Sequence, residues 1–188
     1  MSGRRIGLLF GSFNPVHVGH LILAEHFATR TDLAEVWLVV TPQNPFKAAF
    51  DLLPDTERLR LVELAIAGNP RLRAEDIEFG LPRPSYTIAT LDALCQRHPA
   101  HEFVLLMGAD NLPGLPRWQE SARLLTEFDI YVYPRPGAVV SDLAAFPRLQ
   151  VLAAPLLDIS ATYIRESLRA GRSIRYLVPA AVEAELSK

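Results

Sequence analysis

Three observations in the sequence predict an α/β fold built on a doubly wound, mostly parallel sheet. Short apolar runs of strand length alternate with amphipathic stretches of helical period, no repeat or low-complexity tract breaks the alternation, and each polar motif directly follows an apolar run. Residues 6–10 (Ile-Gly-Leu-Leu-Phe) read as a buried first strand. Gly11 and Pro15 then punctuate a turn, and Leu21, Ala24 and Ala28 recur at helical spacing. Residues 35–41 (Glu-Val-Trp-Leu-Val-Val-Thr) form the second strand, followed by a Pro-rich loop over 42–54. Asp55 or Thr56 is expected to cap the next helix, which runs to about Gly68 with Leu59, Val62 and Ile66 on one face. A third strand is expected over 71–78, and a helix over 85–98 with Ile88, Leu91 and Leu94 in period. Residues 102–107, 129–133 and 150–153 give three more strands. Ser160 opens a helix that ends at Gly171, and 179–188 reads as a short terminal helix.

At 188 residues and 49% hydrophobic content, the chain is expected to form a single domain over 1–188, with a small C-terminal helical part from about 160. A net charge of −2 gives no general attraction for nucleic acid, so any anion must be held by a local site. The single cysteine, Cys95, cannot form an internal disulfide, which fits a reducing cytoplasm. Arg4 and Arg5 before an apolar run give the charge order of a signal peptide. That run stops at Gly11-Ser12 with no small-residue cleavage pattern after it, so it is read as a strand. No apolar stretch reaches the roughly 18 residues of a membrane span, and no membrane partner is expected. The sequence is compatible with a homo-oligomer and fixes no stoichiometry.

The stretch Gly11-Ser12-Phe13-Asn14-Pro15-Val16-His17-Val18-Gly19-His20 sets two imidazoles three residues apart where a strand becomes a helix. Unpaired N–H groups and the positive end of the helix dipole favour an anion at that point, and His17 and His20 add side-chain donors. Two plainer readings of the histidine pair are a zinc site and a functionless cap. Zinc needs a third ligand at suitable spacing, and Glu25, His26 and Cys95 form no recognised set, so no protein metal site is expected. The stretch resembles the phosphate-binding signature G-x-F-x-P-x-H-x-G-H of the nucleotidyltransferases, a relative of the HIGH motif of class I aminoacyl-tRNA synthetases. The resemblance implies a Rossmann-like fold and an ATP site on Gly11, Ser12, Phe13, His17, Gly19 and His20.

A second motif, Ile159-Ser160-Ala161-Thr162-Tyr163-Ile164-Arg165, places an N-cap serine one turn before a guanidinium that suits phosphate oxygens. Taken alone it is an ordinary capped surface helix. It resembles the I-S-S-T-x-I-R motif of the same superfamily, which implies that Ile159, Ser160, Thr162 and Arg165 hold the triphosphate and the departing pyrophosphate. Ala161 departs from the motif by one hydroxyl. Polar motifs at the carboxyl ends of parallel strands share one edge of the sheet, so these distant segments are expected to converge on one site.

Pro84-Ser85-Tyr86-Thr87-Ile88-Ala89-Thr90-Leu91 resembles the P-S-Y-T-x-x-T-L stretch of the nicotinate-mononucleotide adenylyltransferases, and Gly108-Ala109-Asp110-Asn111-Leu112 with Leu115 and Trp118 resembles their G-A-D-x-L…L-x-x-W. Separately these residues read as a helix cap, a turn aspartate and a core tryptophan. Together the resemblance implies that the helix start at Ser85, Tyr86 and Thr87 receives the nicotinate carboxylate, that Asp110 contacts ribose, and that Trp118 lies against the pyridine ring, with Gly108 joining the ATP site. Where relatives carry P-H-K this chain has Pro45-Phe46-Lys47; Lys47 suits the acceptor phosphate but is equally a solvated loop lysine. The reaction implied is adenylyl transfer from ATP to nicotinate mononucleotide, with Mg²⁺ carried on the ATP phosphates and His17, His20 and Arg165 as catalytic residues. Alternatives are an adenylyl- or cytidylyltransferase acting on another phosphorylated acceptor such as phosphopantetheine, and a non-catalytic nucleotide-binding module.

Overall fold

The computed structural model describes residues 3–43, 52–138, 146–155 and 157–187. Six strands run in one parallel sheet: β1 (Arg4–Gly11), β2 (Glu35–Val40), β3 (Leu72–Glu75), β4 (His101–Gly108), β5 (Asp129–Tyr133) and β6 (Leu149–Val151), in the order β3-β2-β1-β4-β5-β6. The helices are α1 (Val18–Arg30), α2 (Asp55–Ile66), α3 (Thr87–Arg97), α4 (Ser121–Glu127), α5 (Ala161–Arg169) and α6 (Ala180–Leu186), with 3₁₀ turns over Ile77–Gly80 and Ala109–Arg117.

Successive strand side chains point to opposite faces, and the sequence supplies an apolar residue to each face in turn. Leu9, Val36, Leu38, Val40, Val104 and Leu106 pack with Leu23, Phe27, Leu61, Val62 and Ile164 on one side. Ile6, Leu8, Trp37, Val39, Leu105, Met107, Ile130 and Val132 pack with Ile88, Leu91, Leu94 and Leu124 on the other. The order of connection reverses between β1 and β4, so the chain leaving Gly11 and the chain leaving Gly108 turn to opposite faces and leave a crevice at the strand ends.

Several boundaries differ from the sequence expectation for identifiable reasons. Helix α2 is entered through Pro54, whose carbonyl takes the N–H groups of Glu57 and Arg58; the Asp55 carboxylate is occupied by Arg58 at 2.5 Å and Arg83 at 2.6 Å and does not cap. Strand β3 stops at Glu75 because Phe79 N–H turns back to the Asp76 carbonyl and closes a 3₁₀ turn. Helix α3 begins at Thr87 rather than Ser85, whose N–H is held by the Gln43 carbonyl at 3.0 Å. The Ser160 cap forms as expected, its Oγ accepting from Tyr163 N–H at 3.2 Å. Among the described residues no helix is long and apolar enough to cross a membrane.

Candidate active site

The first motif leaves β1 at Gly11 and enters α1 through His17, which takes the N-cap position with extended backbone. Two arginines from other parts of the chain fix the turn. Arg58, fully buried, donates to the Ser12 carbonyl at 2.5 Å and to the Thr41 carbonyl at 2.9 Å, joining the ends of β1 and β2 from below. Arg165 donates to the Asn14 carbonyl at 2.8 Å from helix α5. Phe13 holds a left-handed backbone (φ 44°) with its ring 1% exposed and edge-on to His20.

The two imidazoles stack with centroids 3.7 Å apart, and His20 Nδ1 accepts the backbone N–H of His17 at 3.2 Å. An accepting Nδ1 carries no proton, so the His20 proton rides on Nε2 and makes that atom a donor. Burial, reinforced by the nearby Arg135 guanidinium, pushes His17 down to about 4, so it is a neutral imidazole near pH 7. The consequence for stability has a definite sign. As pH falls below 6.5 the unfolded chain takes up a proton on this residue that the folded chain refuses until about pH 4, so folded stability drops across that window. Between pH 7.5 and 4.5 the wild type is expected to lose about 2.5 kcal/mol more than His17→Asn, read from urea unfolding at the two pH values. Equal losses in both proteins would refute the buried neutral state.

The second motif arrives on the opposite wall. Arg165 Nη2 lies 3.3 Å from Thr162 Oγ1 while Nη1 reaches Asn14, so one guanidinium spans the start of α5 and the first motif. The two helix starts approach so closely that a Cβ on Gly19 would come within 2.6 Å of Ile159 Cγ2 and 3.0 Å of the His17 ring. Gly11, Ser12, Phe13, His17, Gly19, His20, Ile159, Ser160, Thr162 and Arg165 thus line one cleft of about 800 Å³.

The same cleft continues past the end of β4. Gly108 ends that strand, and a Cβ there would collide with Asp110 Oδ1; Asn111 Nδ2 reaches the Gly108 carbonyl at 3.3 Å and steadies the turn. Asp110 lies 3.7 Å from Arg135 Nε. Trp118 follows the 3₁₀ turn, its N–H on the Leu115 carbonyl at 3.1 Å, and Ser85, Tyr86 and Thr87 stand at the start of α3. Gly108, Asp110, Asn111, Arg135, Trp118, Ser85, Tyr86 and Thr87 line the cleft. Lys47 lies outside the described residues. Among the described residues no group of three or more His, Cys, Asp or Glu side chains is arranged to hold a metal ion.

Three functional candidates escaped the sequence reading. Arg135 leaves the carboxyl end of β5 into the cleft, on the same sheet edge that singled out the other motifs, and that placement was the available signal. Glu78 lies buried behind the Ser85 turn, hidden by its assignment to a strand. Arg58 sits in a helix whose pattern gave it no special place.

The parallel sheet, with both sequence motifs brought to one cleft, is the arrangement expected of a nucleotidyltransferase, and residues 8–167 match the cytidylyltransferase-like family. The chain is 51% identical over 179 residues to a protein of Cytophaga hutchinsonii described as a probable nicotinate-nucleotide adenylyltransferase, covering 95% of this chain and 93% of that one. A Bacteroides fragilis protein of the same description is 50% identical over 182 residues, covering 97% and 90%. The chain belongs to the nicotinate-nucleotide adenylyltransferases, enzymes of NAD biosynthesis. Its fold matches that of the Plasmodium falciparum nicotinic acid mononucleotide adenylyltransferase complexed with NaAD, with a TM-score of 0.80 at 19% identity over 98% of this chain and 95% of that one.

Proposed function

We propose that the cleft binds ATP between the two helix starts and nicotinate mononucleotide between Trp118 and the start of α3, and transfers the adenylyl group to give deamido-NAD and pyrophosphate. The observation that carries this reading is the Arg165 guanidinium, which reaches the Asn14 carbonyl at 2.8 Å and so sets the second phosphate-type motif against the first.

In this reaction an oxygen of the acceptor phosphate attacks the α-phosphorus of ATP. The new O–P bond forms as the bond to the β-phosphate oxygen breaks, and pyrophosphate leaves with the electron pair. The attacking oxygen is already anionic near neutral pH, so no protein nucleophile or base is required, and catalysis reduces to alignment and charge stabilisation. His20 donates from Nε2 and His17 acts as a neutral donor to the transferring phosphate. Arg165 and the N–H groups behind Ser160 hold the β- and γ-phosphates. Arg135 adds a fixed positive charge where Asp110 faces ribose. Mg²⁺, when bound, would be carried on the ATP phosphates and would neutralise part of their charge, since among the described residues no group of three or more His, Cys, Asp or Glu side chains is arranged to hold it. A cytoplasmic location accords with the single cysteine.

Pyrophosphate release with ATP and a panel of nicotinate mononucleotide, nicotinamide mononucleotide and phosphopantetheine tests the assignment. Turnover is expected to be fastest with the first, and preference for phosphopantetheine would overturn it. Trp118→Ala is expected to raise the KM for the mononucleotide about tenfold, the value of one aromatic stacking contact, with ATP within about twofold. Equal losses for both substrates would contradict stacking.

A further inference from the structure

Glu78 lies in the 3₁₀ turn after β3, is 1% exposed, and sits on the wall of the cleft beside the Ser85 turn. Its Oε1 accepts the hydroxyl of Thr90, a fully buried residue one turn into α3, at 2.7 Å; the same hydroxyl lies 3.3 Å from the Tyr86 carbonyl. The other carboxyl oxygen and Ser85 Oγ are both buried, and neither completes a hydrogen bond. Thr41, at the exit of β2, completes the set of hydroxyl side chains around the carboxyl. Burial pushes the carboxyl above its usual range, opposed first by the hydrogen bond from the Thr90 hydroxyl. A buried carboxyl is costly unless it is hydrogen-bonded, and here Oε1 is held by Thr90 while the other oxygen has no partner. What it touches is the first turn of α3, whose start lines the cleft.

We infer that Glu78 is a positioning residue for the pyridine end of the mononucleotide: through Thr90 it fixes the first turn of α3, and with Ser85 it sets the wall that receives the substrate carboxylate. The inference rests on the assignment of Ser85, Tyr86 and Thr87 to the acceptor. The side chain that hydrogen-bonds Glu78, Thr90, belongs to the helix of the acceptor wall, so its influence is expected to fall on one substrate. A glutamine keeps the oxygen that accepts from Thr90 and turns an amide donor toward Ser85 Oγ. A leucine fills similar space without either function.

The test is steady-state kinetics of the full chain for the wild type, Glu78→Gln, Glu78→Leu and Thr90→Val, with ATP and nicotinate mononucleotide varied separately and circular dichroism recorded for each protein. Glu78→Leu and Thr90→Val are expected to raise the KM for the mononucleotide at least tenfold. The ATP KM should stay within twofold and kcat within threefold, while Glu78→Gln stays within threefold of the wild type throughout. A general loosening of the fold would move both KM values together and would not be rescued by glutamine. Should Glu78→Leu fail to fold, Thr90→Val and Glu78→Gln decide by the same split. A parallel rise in both KM values, or an unchanged mononucleotide KM in Thr90→Val, overturns the inference. If the wild type turns over nicotinate mononucleotide but the split is absent, only the role of Glu78 falls; if the wild type does not use it, the acceptor assignment falls as well.

Discussion

His20→Ala and His17→Ala are each expected to lower kcat by about a hundred- to a thousand-fold, with the mononucleotide KM within about threefold, because in the proposed mechanism each removes a donor aimed at charge that develops as the adenylyl group transfers. The geometry specifies what is lost. His20 presents Nε2–H because its Nδ1 is engaged by the His17 N–H, and the stacked rings 3.7 Å apart hold each other in place. Removing either imidazole therefore also loosens the other, and the double variant should cost less than the product of the single losses. In the proposed mechanism His17 acts as a neutral group, its pKa lowered to about 4, so its loss should be equally severe at pH 6.5 and 8.5. Steady-state rates of pyrophosphate release, with thermal unfolding as a control for folding, check all of these outcomes. Unchanged turnover in either single variant removes the imidazoles from the mechanism.

What the sequence made legible follows from how locally each feature is encoded. The strands showed because a sheet covered on both faces demands nearly continuous apolar runs, and 35–40 and 102–107 have little else. The first phosphate-type turn and the Ser160 cap showed because glycine, proline and a capping hydroxyl act on their own neighbours in the chain. Helix α4, seven residues with only Leu124 buried, is too short to display a period, and the turn over Ala109–Arg117 carries Pro113 and Pro116, which read as loop. Arg58 was illegible for a different reason. Its burial is decided by carbonyls at Ser12 and Thr41, brought together by parallel pairing, and no helical pattern records partners so distant in sequence. Arg135 and Glu78 are single residues without a motif, visible only once the strand ends are known to converge.

Arg165→Ala is expected to lower kcat/KM for ATP by about a hundred- to a thousand-fold, the usual scale for truncating one partner of a charge-assisted pair that holds an anion. Arg165→Lys should recover no more than about a tenth of wild-type activity. A lysine keeps the charge, but its single ammonium cannot at once reach Asn14 and Thr162 and present a planar face to phosphate oxygens. The reverse reaction separates the role of this residue from a general weakening. If the guanidinium grips the β- and γ-phosphates, then in ATP formation from deamido-NAD and pyrophosphate the KM for pyrophosphate should rise as steeply as that for ATP does in the forward direction. The KM for deamido-NAD should stay within about threefold, because the dinucleotide lacks those two phosphates. A loss shared equally by deamido-NAD and pyrophosphate would instead mean that Arg165 acts by holding the Asn14 turn in place, and the assignment of the pyrophosphate grip would pass to the N–H groups behind Ser160.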